Sequence, residues 1–468
     1  MNKTTQICEL EHCLGFELTE VKGLENIMDW QQAKTYLVDK ENNLIGLNLY
    51  ESALTTLTFL QDFPHLKALH LGSNHLQDIG TLNQFSELVF LDVSDNQVQD
   101  IAALGSLRQL QMLDIGDNQI QDIAALENLK QLNILVLEHN EIKDLSALNL
   151  LRQLQELNLT DNQIQDLSPL NNLQALQTLN LWENQIENLV PLSDLQQLKW
   201  LNLSENQIRD LSPLKGLLQL ETIFLWNNQI RNIEALATLH QLQTLDLSDN
   251  TVFSIVALKD LLQLQQLDLE HNRVQDISAL QDLQQLKALD ISGNQVKDFS
   301  VLKDLPQLKK LVLRSNQIQD ITSLEGMEKL EKLDLRSNQI ENLSALKGIP
   351  QLQLLDLGFN KVQDFSVLAS LTELQSLDLS SNQMTKISLG LLRQFKKLEK
   401  LKLYQNPIQN IPKEVFEKTN TNVLQEVVSY LEEASPKKKS LSRAHSSNNI
   451  RPTKSIFQKV RSLFGLRS

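Results

Sequence analysis

An asparagine returns every 22 residues along this chain, at Asn74, Asn96, Asn118, Asn140, Asn162, Asn184, Asn206, Asn228, Asn250, Asn272, Asn294, Asn316, Asn338, Asn360 and Asn382. An apolar pair separated by one residue precedes each, as in Leu91-Asp92-Val93 and Leu201-Asn202-Leu203, and an apolar residue follows two positions later. One such unit cannot bury its own apolar face, so neighbouring units must stack, each giving a short strand to a shared parallel sheet. The expected fold is a curved α/β solenoid, with the sheet on its concave face and short helical or irregular turns on its convex face. The asparagine follows from backbone accounting: where the chain turns inward, an amide with donors and acceptors satisfies peptide groups that would otherwise be buried unpaired.

Two irregular units flank the array. Leu44 to Leu49 fits the strand pattern with Ser52 where asparagine would stand, and Leu398 to Asn406 repeats it after a step slightly longer than the others. With these, about 17 units occupy 44–411 and, at a parallel strand spacing of roughly 4.8 Å, form an arc on the order of 80 Å long. Open ends need covering. Residues 1–43 are expected to form a helical cap, with Ile27, Trp30, Ala33 and Leu37 on one stripe ended by Asn42-Asn43. Residues 412–434 are expected to form a capping helix, with Val423, Leu424, Val427, Val428 and Leu431 on one stripe after a candidate N-cap at Thr421. Within each unit an Asp such as Asp122 can cap a short convex turn, and Pro169, Pro191 and Pro213 stand where an early turn tolerates a missing N–H.

The net charge of −15 conceals an asymmetry. Residues 435–468 carry nine Lys or Arg and no Asp or Glu, which leaves −24 on the rest. An acidic body argues against nucleic acid along the solenoid, because phosphate contacts need a basic stripe. The tail's Ser, Lys, Arg and Asn composition predicts a largely disordered linker ending in an amphipathic helix. There Ile456, Phe457, Val460, Leu463 and Phe464 share one face, with Lys459 and Arg461 among them. Three destinations fit such a segment: an anionic membrane surface, a partner's groove, or the acidic solenoid itself.

With Glu9, Glu11 and Glu17 close to the start of the chain, and no apolar run long enough to cross a bilayer, the expectation is no secretion signal and no membrane span. Cys8 and Cys13 are the only cysteines, which points to a reducing compartment, and with His12 they lack a zinc spacing. The expected location is cytoplasmic, with peripheral membrane attachment if the tail binds lipid.

Side chains alternate across a strand, so the outward positions lie six, four, two and one residues before each asparagine. Four before, Asp recurs at Asp92, Asp114, Asp246, Asp268, Asp290, Asp334, Asp356 and Asp378, which fits either a cation site or a solvated acidic surface. Trp182, Trp200, Phe224 and Trp226 occupy outward positions in three successive units. Large aromatics with no core to fill suggest a binding hot spot, the alternative being rings that pack only on one another. Lys310, Arg314, Lys332 and Arg336 form a basic patch in two adjacent units, suited to an acidic or phosphorylated segment or to the chain's own Asp column. Phe90, Met112, Ile134 and Val136 form a smaller apolar patch.

Catalytic patterns are lacking: no G-x-x-x-x-G-K-[ST], H-E-x-x-H or G-x-S-x-G occurs. His139 and His271 are six units apart, on the order of 29 Å, too far to share a metal. No enzymatic activity, cofactor, metal or nucleotide is expected.

The unit with N-Q-I-x-D-I or N-Q-I-x-D-L, as at Asn118 to Ile123 and Asn162 to Leu167, resembles the short leucine-rich repeats of protein-phosphatase-1 regulators and bacterial internalins. Asn406 to Phe416, continuing to Asn422-Val423-Leu424, is similar to the junction that joins leucine-rich repeats to the GTPase domain of Roco-type proteins. The chain ends where that domain's phosphate-binding loop would begin, so no nucleotide chemistry is carried over. These resemblances imply a protein-binding scaffold or adaptor, or a regulatory partner of a Roco-like GTPase or phosphatase system, with a membrane-recruited adaptor as the reading that gives the tail the leading role.

Overall fold

A computed structural model describes residues 5–417 and 422–434. Its centre is one 19-stranded sheet, parallel throughout except for a single antiparallel pair near the N-terminus. The regular strands, from Ala68–His70 to Ser376–Asp378, are short and pair with the equivalent residues of the adjacent coil, Leu69 opposite Leu91 and Leu201 opposite Ile223. The last pairing, Leu377 opposite Leu401, keeps this register even though the intervening coil is longer.

Each coil is named here by its asparagine. Asn206 shows what the recurring residue does: its Nδ2 donates to the carbonyls of Leu181, Leu203 and Ser204 at 2.9, 3.2 and 3.0 Å, while its Oδ1 accepts from Ile186 N at 2.9 Å. Two of those partners belong to the preceding coil, so the amide fastens coil to coil as well as closing its own turn. In the first unit Ser52 replaces it, and Asn74 Oδ1 accepts from both Ser52 N and Leu54 N.

A short coil leaves little chain for the return path, and most convex segments are brief 3-10 turns, such as Ala102–Ser106 and Ser168–Leu170. An Asp caps most entries as expected: Asp100 Oδ1 accepts from Ala102 N at 2.8 Å and Asp166 Oδ1 from Ser168 N at 2.8 Å. Asn188 does the same for Val190 N. Pro169, Pro191 and Pro213 fall at the first positions of their turns, where no N–H is needed. Between sheet and turns runs one continuous apolar core, to which the Asn206 coil contributes Leu195, Leu198, Leu201, Leu203, Ile208 and Leu211, each at most 1% exposed. Each such side chain contributes about 1.5–3 kcal/mol by leaving water.

The N-terminal end corrects one expectation. Ile27, Trp30, Ala33 and Leu37 do not share a helix: the segment is a short helix Leu24–Ile27, a 3-10 turn Trp30–Gln32 and a strand Thr35–Val38 that pairs antiparallel with Leu44–Asn48. Thr35-Tyr36-Leu37-Val38 is a β-branched and aromatic run that favours a strand. The hairpin turn is held by Asp39, whose Oδ1 accepts from Glu41 N and Asn43 N, with Asn42 left-handed at φ 65°. The helix of this region lies earlier, at Thr5–Leu14, with Ile7 and Leu10 buried. A parallel pairing of Thr19–Glu20 with Thr35 and Tyr36 completes the edge.

At the other end Leu424–Ala434 is helical and buries Leu424, Val427 and Leu431. Just before it, Asn422 Oδ1 accepts from Leu401 N and Val423 N donates to Leu401 O, which satisfies the open edge of the strand Lys400–Lys402. The N-cap expected at Thr421 and the tail 435–468 lie outside the described residues.

Candidate functional site

The concave face does not begin at the first coil. The segment carrying Ile27 folds over it: Ile27, Leu37 and Ala68 form a small second core, and Asn48 Nδ2 donates to Ile27 O and Asp29 O. A side chain at Gly46 would meet Ile27 at 2.8 Å, so the position needs glycine. His70 is buried there, and desolvation lowers its pKa against the pull of Asp92. Gly46, Asn48, Ala68 and His70, outward by sequence pattern, are thus covered, and the open face starts within the Asn96 coil, whose Phe90 still packs against this small core.

Along that face the residue one before each asparagine is left-handed in every coil, with φ from 48° at Asp161 to 63° at Gly293. Where the residue four before is Asp or Asn, it closes the same bend. Asp92 Oδ1 accepts from Ser94 N at 2.8 Å, Asp268 Oδ1 from Glu270 N at 2.9 Å, and Asn202 Oδ1 from Ser204 N at 3.0 Å. The Asp column is therefore neither a plain solvated surface nor a row of free ligands, since these carboxylates are half-buried or more and hold backbone N–H groups. Stacking them has an electrostatic cost. Burial, with Asp246 and Asp290 alongside, pushes the Asp268 carboxyl up to about 7, and burial with Asp334 and Asp378 pushes Asp356 up to about 6. Burial also raises Asp246, and raises Asp114 well above the usual range. Asp268, Glu270 and Asp290 bring carboxylate oxygens within 4.8 Å of one another, a grouping the sequence reading had not assembled.

The aromatic residues occupy the outward positions expected, each half-buried. They pack in two pairs: Trp182 and Trp226 have ring centroids 6.4 Å apart, and Trp200 and Phe224 5.7 Å apart, both tilted. The first pair spans an intervening coil whose residue at that position is Ser204, which is fully buried. Trp182 Nε1 donates to Glu205 Oε1 at 3.0 Å, which fixes the indole's orientation. Ring packing and outward exposure, posed as alternatives by the sequence, coexist: the pairs brace one another and keep part of each ring in solvent. Phe90, Met112 and Ile134 lie side by side on adjacent strands.

The basic patch divides. Arg314 Nε lies 2.6 Å from Asp334 Oδ2, and Arg336 stands 3.9 Å from Asp356, 4.0 Å from Asp378 and 4.6 Å over the Phe359 ring. Both arginines are thus committed to the chain's own Asp column and an aromatic ring. Lys310 and Lys332 are exposed, directly opposed in register, and form no ion pair among the described residues. With Leu354 and Lys402 they border a shallow hollow of about 320 Å³. The tail residues Ile456, Phe457, Lys459, Val460, Arg461, Leu463 and Phe464 lie outside the described residues.

The comparisons with known proteins agree with this geometry. A family model for a leucine-rich repeat region matches residues 157–450, and further leucine-rich repeat models match 86–128, 108–150 and 64–81. The chain belongs to the leucine-rich repeat family. Among solved structures, the internalin InlF of Listeria monocytogenes is 34% identical over 64% of this chain and 89% of its own, with a TM-score of 0.62. A leucine-rich repeat protein of Leptospira interrogans is 25% identical, covers 85% of this chain and 96% of its own, and has a TM-score of 0.65. The leucine-rich repeat ectodomain of the Arabidopsis thaliana receptor kinase GASSHO1/SCHENGEN3 shares the fold at 21% identity, covering 85% of this chain and 56% of its own, with a TM-score of 0.61. Comparison with curated protein sequences gives no match. Leucine-rich repeat proteins typically act in protein–protein interaction, through the curved surface that stacking creates. Among the described residues no helix is long and apolar enough to cross a membrane.

Proposed function

We propose that this protein is a non-enzymatic recognition scaffold that holds a protein partner on its concave face. In this reading Trp182, Trp200, Phe224 and Trp226 are the apolar anchor, and Lys310 and Lys332 are a second contact for acidic or phosphorylated residues of the same partner. One observation carries it: four large rings stand in braced pairs on outward positions of three successive coils, where the core already closes without them. Preformed, half-buried aromatic surface loses little entropy on binding and gains the most from exclusion of water. The two lysines lie about 20–25 Å further along the arc by strand spacing, so an extended partner can touch both.

The test is quantitative affinity capture from native lysate with the wild type and a Trp182→Ala, Trp200→Ala, Trp226→Ala variant whose fold is verified by circular dichroism. A discrete protein lost from the variant supports the reading. A captured set that ignores the tryptophans overturns it.

A further inference from the structure

From the Asn96 coil to the Asn294 coil, the four outward columns of the concave face carry 14 Asp or Glu and no Lys or Arg. The five coils that follow carry six Lys or Arg, namely Lys310, Arg314, Lys332, Arg336, Lys400 and Lys402, against Asp334, Asp356 and Asp378. Within the acidic stretch, the aromatic pairs are flanked by Glu183 and Glu205 on one side and Asp246, Asp268 and Glu270 on the other. Burial, with neighbouring carboxylates adding to it, raises Asp246 and Asp268 within this stretch. A surface of this composition fits a segment that is at once basic and apolar, since cations gain from both carboxylates and indole faces.

Resting on the reading of the aromatic surface as a binding site, we propose that residues 454–464 of this same chain occupy it, so that the protein covers its own recognition surface until a partner displaces the tail. The segment Lys454-Ser-Ile-Phe-Gln-Lys-Val-Arg-Ser-Leu-Phe464 supplies three cations and five apolar side chains with no acid. Its root follows Ala434 at the basic end of the arc, where six concave Lys and Arg outnumber three Asp, and the first uncompensated carboxylate is Asp290 of the Asn294 coil. From the Asn406 coil to the Asn272 and Asn228 coils is about 29 to 38 Å at the parallel strand spacing. The linker from Ala434 to Lys454 spans about 25 Å as a flexible coil and up to roughly 66 Å when extended. The segment therefore reaches the acidic, aromatic stretch within the linker's extended length once the linker is partly drawn out, at an effective concentration of at most the order of millimolar.

Zero-length carbodiimide crosslinking of the full chain at low concentration, read by mass spectrometry on the monomer band, tests this directly. The expected links join Lys454 or Lys459 to Glu183, Glu205, Asp246, Asp268 or Glu270. They should fall about tenfold in a Phe457→Ala, Phe464→Ala variant that keeps every lysine, because the apolar anchors hold the segment in place. Links confined to Glu417, Glu432 and Glu433 beside the tail's root, or found only in a dimer band, overturn the proposal. So does flotation of the uncrosslinked full chain with phosphatidylserine vesicles in the absence of concave links, which would make the tail a membrane contact. Because no partner is present, this result is independent of the affinity capture: links that fail while capture still depends on the tryptophans remove the tail's role alone.

Discussion

The acidic and basic stretches of the concave face share one backbone framework, apart from a left-handed Gln317 at φ 62° in the basic stretch, and differ chiefly in what stands on it. In the Asn206 and Asn338 coils alike the asparagine bridges the same carbonyls, the strands hold the same register, and the residue before the asparagine is left-handed. Yet one stretch presents paired aromatics among uncompensated carboxylates, and the other presents arginines neutralised by aspartates beside the exposed Lys310 and Lys332. The framework is satisfied by apolar columns, asparagine amides and, in most coils, an acceptor four before the asparagine, so the other outward side chains vary widely and a single solenoid can carry two surfaces of opposite character.

That separation can be broken first at the shared framework. Asn206→Leu leaves the Ile186 N–H of the preceding coil, and Asn338→Leu the Asn316 and Ile318 N–H groups, together with several carbonyls, without their partner. Each should cost about 2–4 kcal/mol in urea unfolding. The two losses should agree within about 1 kcal/mol if the framework is the same in both stretches, and a much larger loss in one would show that its surface residues contribute to holding it.

The surfaces should respond separately. Asp268 has its carboxyl raised, so the folded state binds a proton more tightly than the unfolded chain. Its unfavourable contribution is absent below about pH 4 and grows as pH rises toward 7. Asp268→Asn keeps an acceptor for Glu270 N, as Asn202 does for Ser204 N, and should stabilise the protein by on the order of 1–2 kcal/mol at pH 8 and by almost nothing at pH 4. Unfolding at the two pH values decides it; equal effects would mean that Asp268 feels neither its burial nor the neighbouring carboxylates.

In the basic stretch the Arg314–Asp334 pair is partly in solvent, with side chains 48% and 15% exposed. Arg314→Ala should cost about 0.5–1 kcal/mol, less at high salt. Lys310→Ala, which breaks no ion pair among the described residues, should leave stability within about 0.5 kcal/mol. An equal loss from both would indicate that Lys310 has a stabilising contact of its own.

Much of the framework is legible in the sequence because a strict period specifies core, strand and asparagine together. Less legible is what the outward columns do for the backbone. Asp92 and its counterparts look like surface charge, yet Asn158, Asn180 and Asn202 fill the same column, and that exchange is the signature of an acceptor for a nearby N–H. The column one before each asparagine contains no Val, Ile or Thr, as a left-handed bend requires. At the N-terminus a helical spacing of apolar residues concealed the strand Thr35–Val38, and the small residues Gly46 and Ala68 were the only sign that something covers the first coils. The aromatic positions could be placed from the repeat, but their pairing across Ser204 depends on distances over two coils that no linear pattern contains.

In the proposed function, recognition is centred on the acidic, aromatic stretch. Its most direct test is the dissociation constant of the captured partner for wild type, Trp182→Ala/Trp226→Ala, and Lys310→Glu/Lys332→Glu proteins at fixed salt. The account predicts a loss of about 30-fold or more for the tryptophan pair and a smaller, salt-sensitive loss for the lysine pair. An affinity within about twofold of wild type in the tryptophan variant would contradict it.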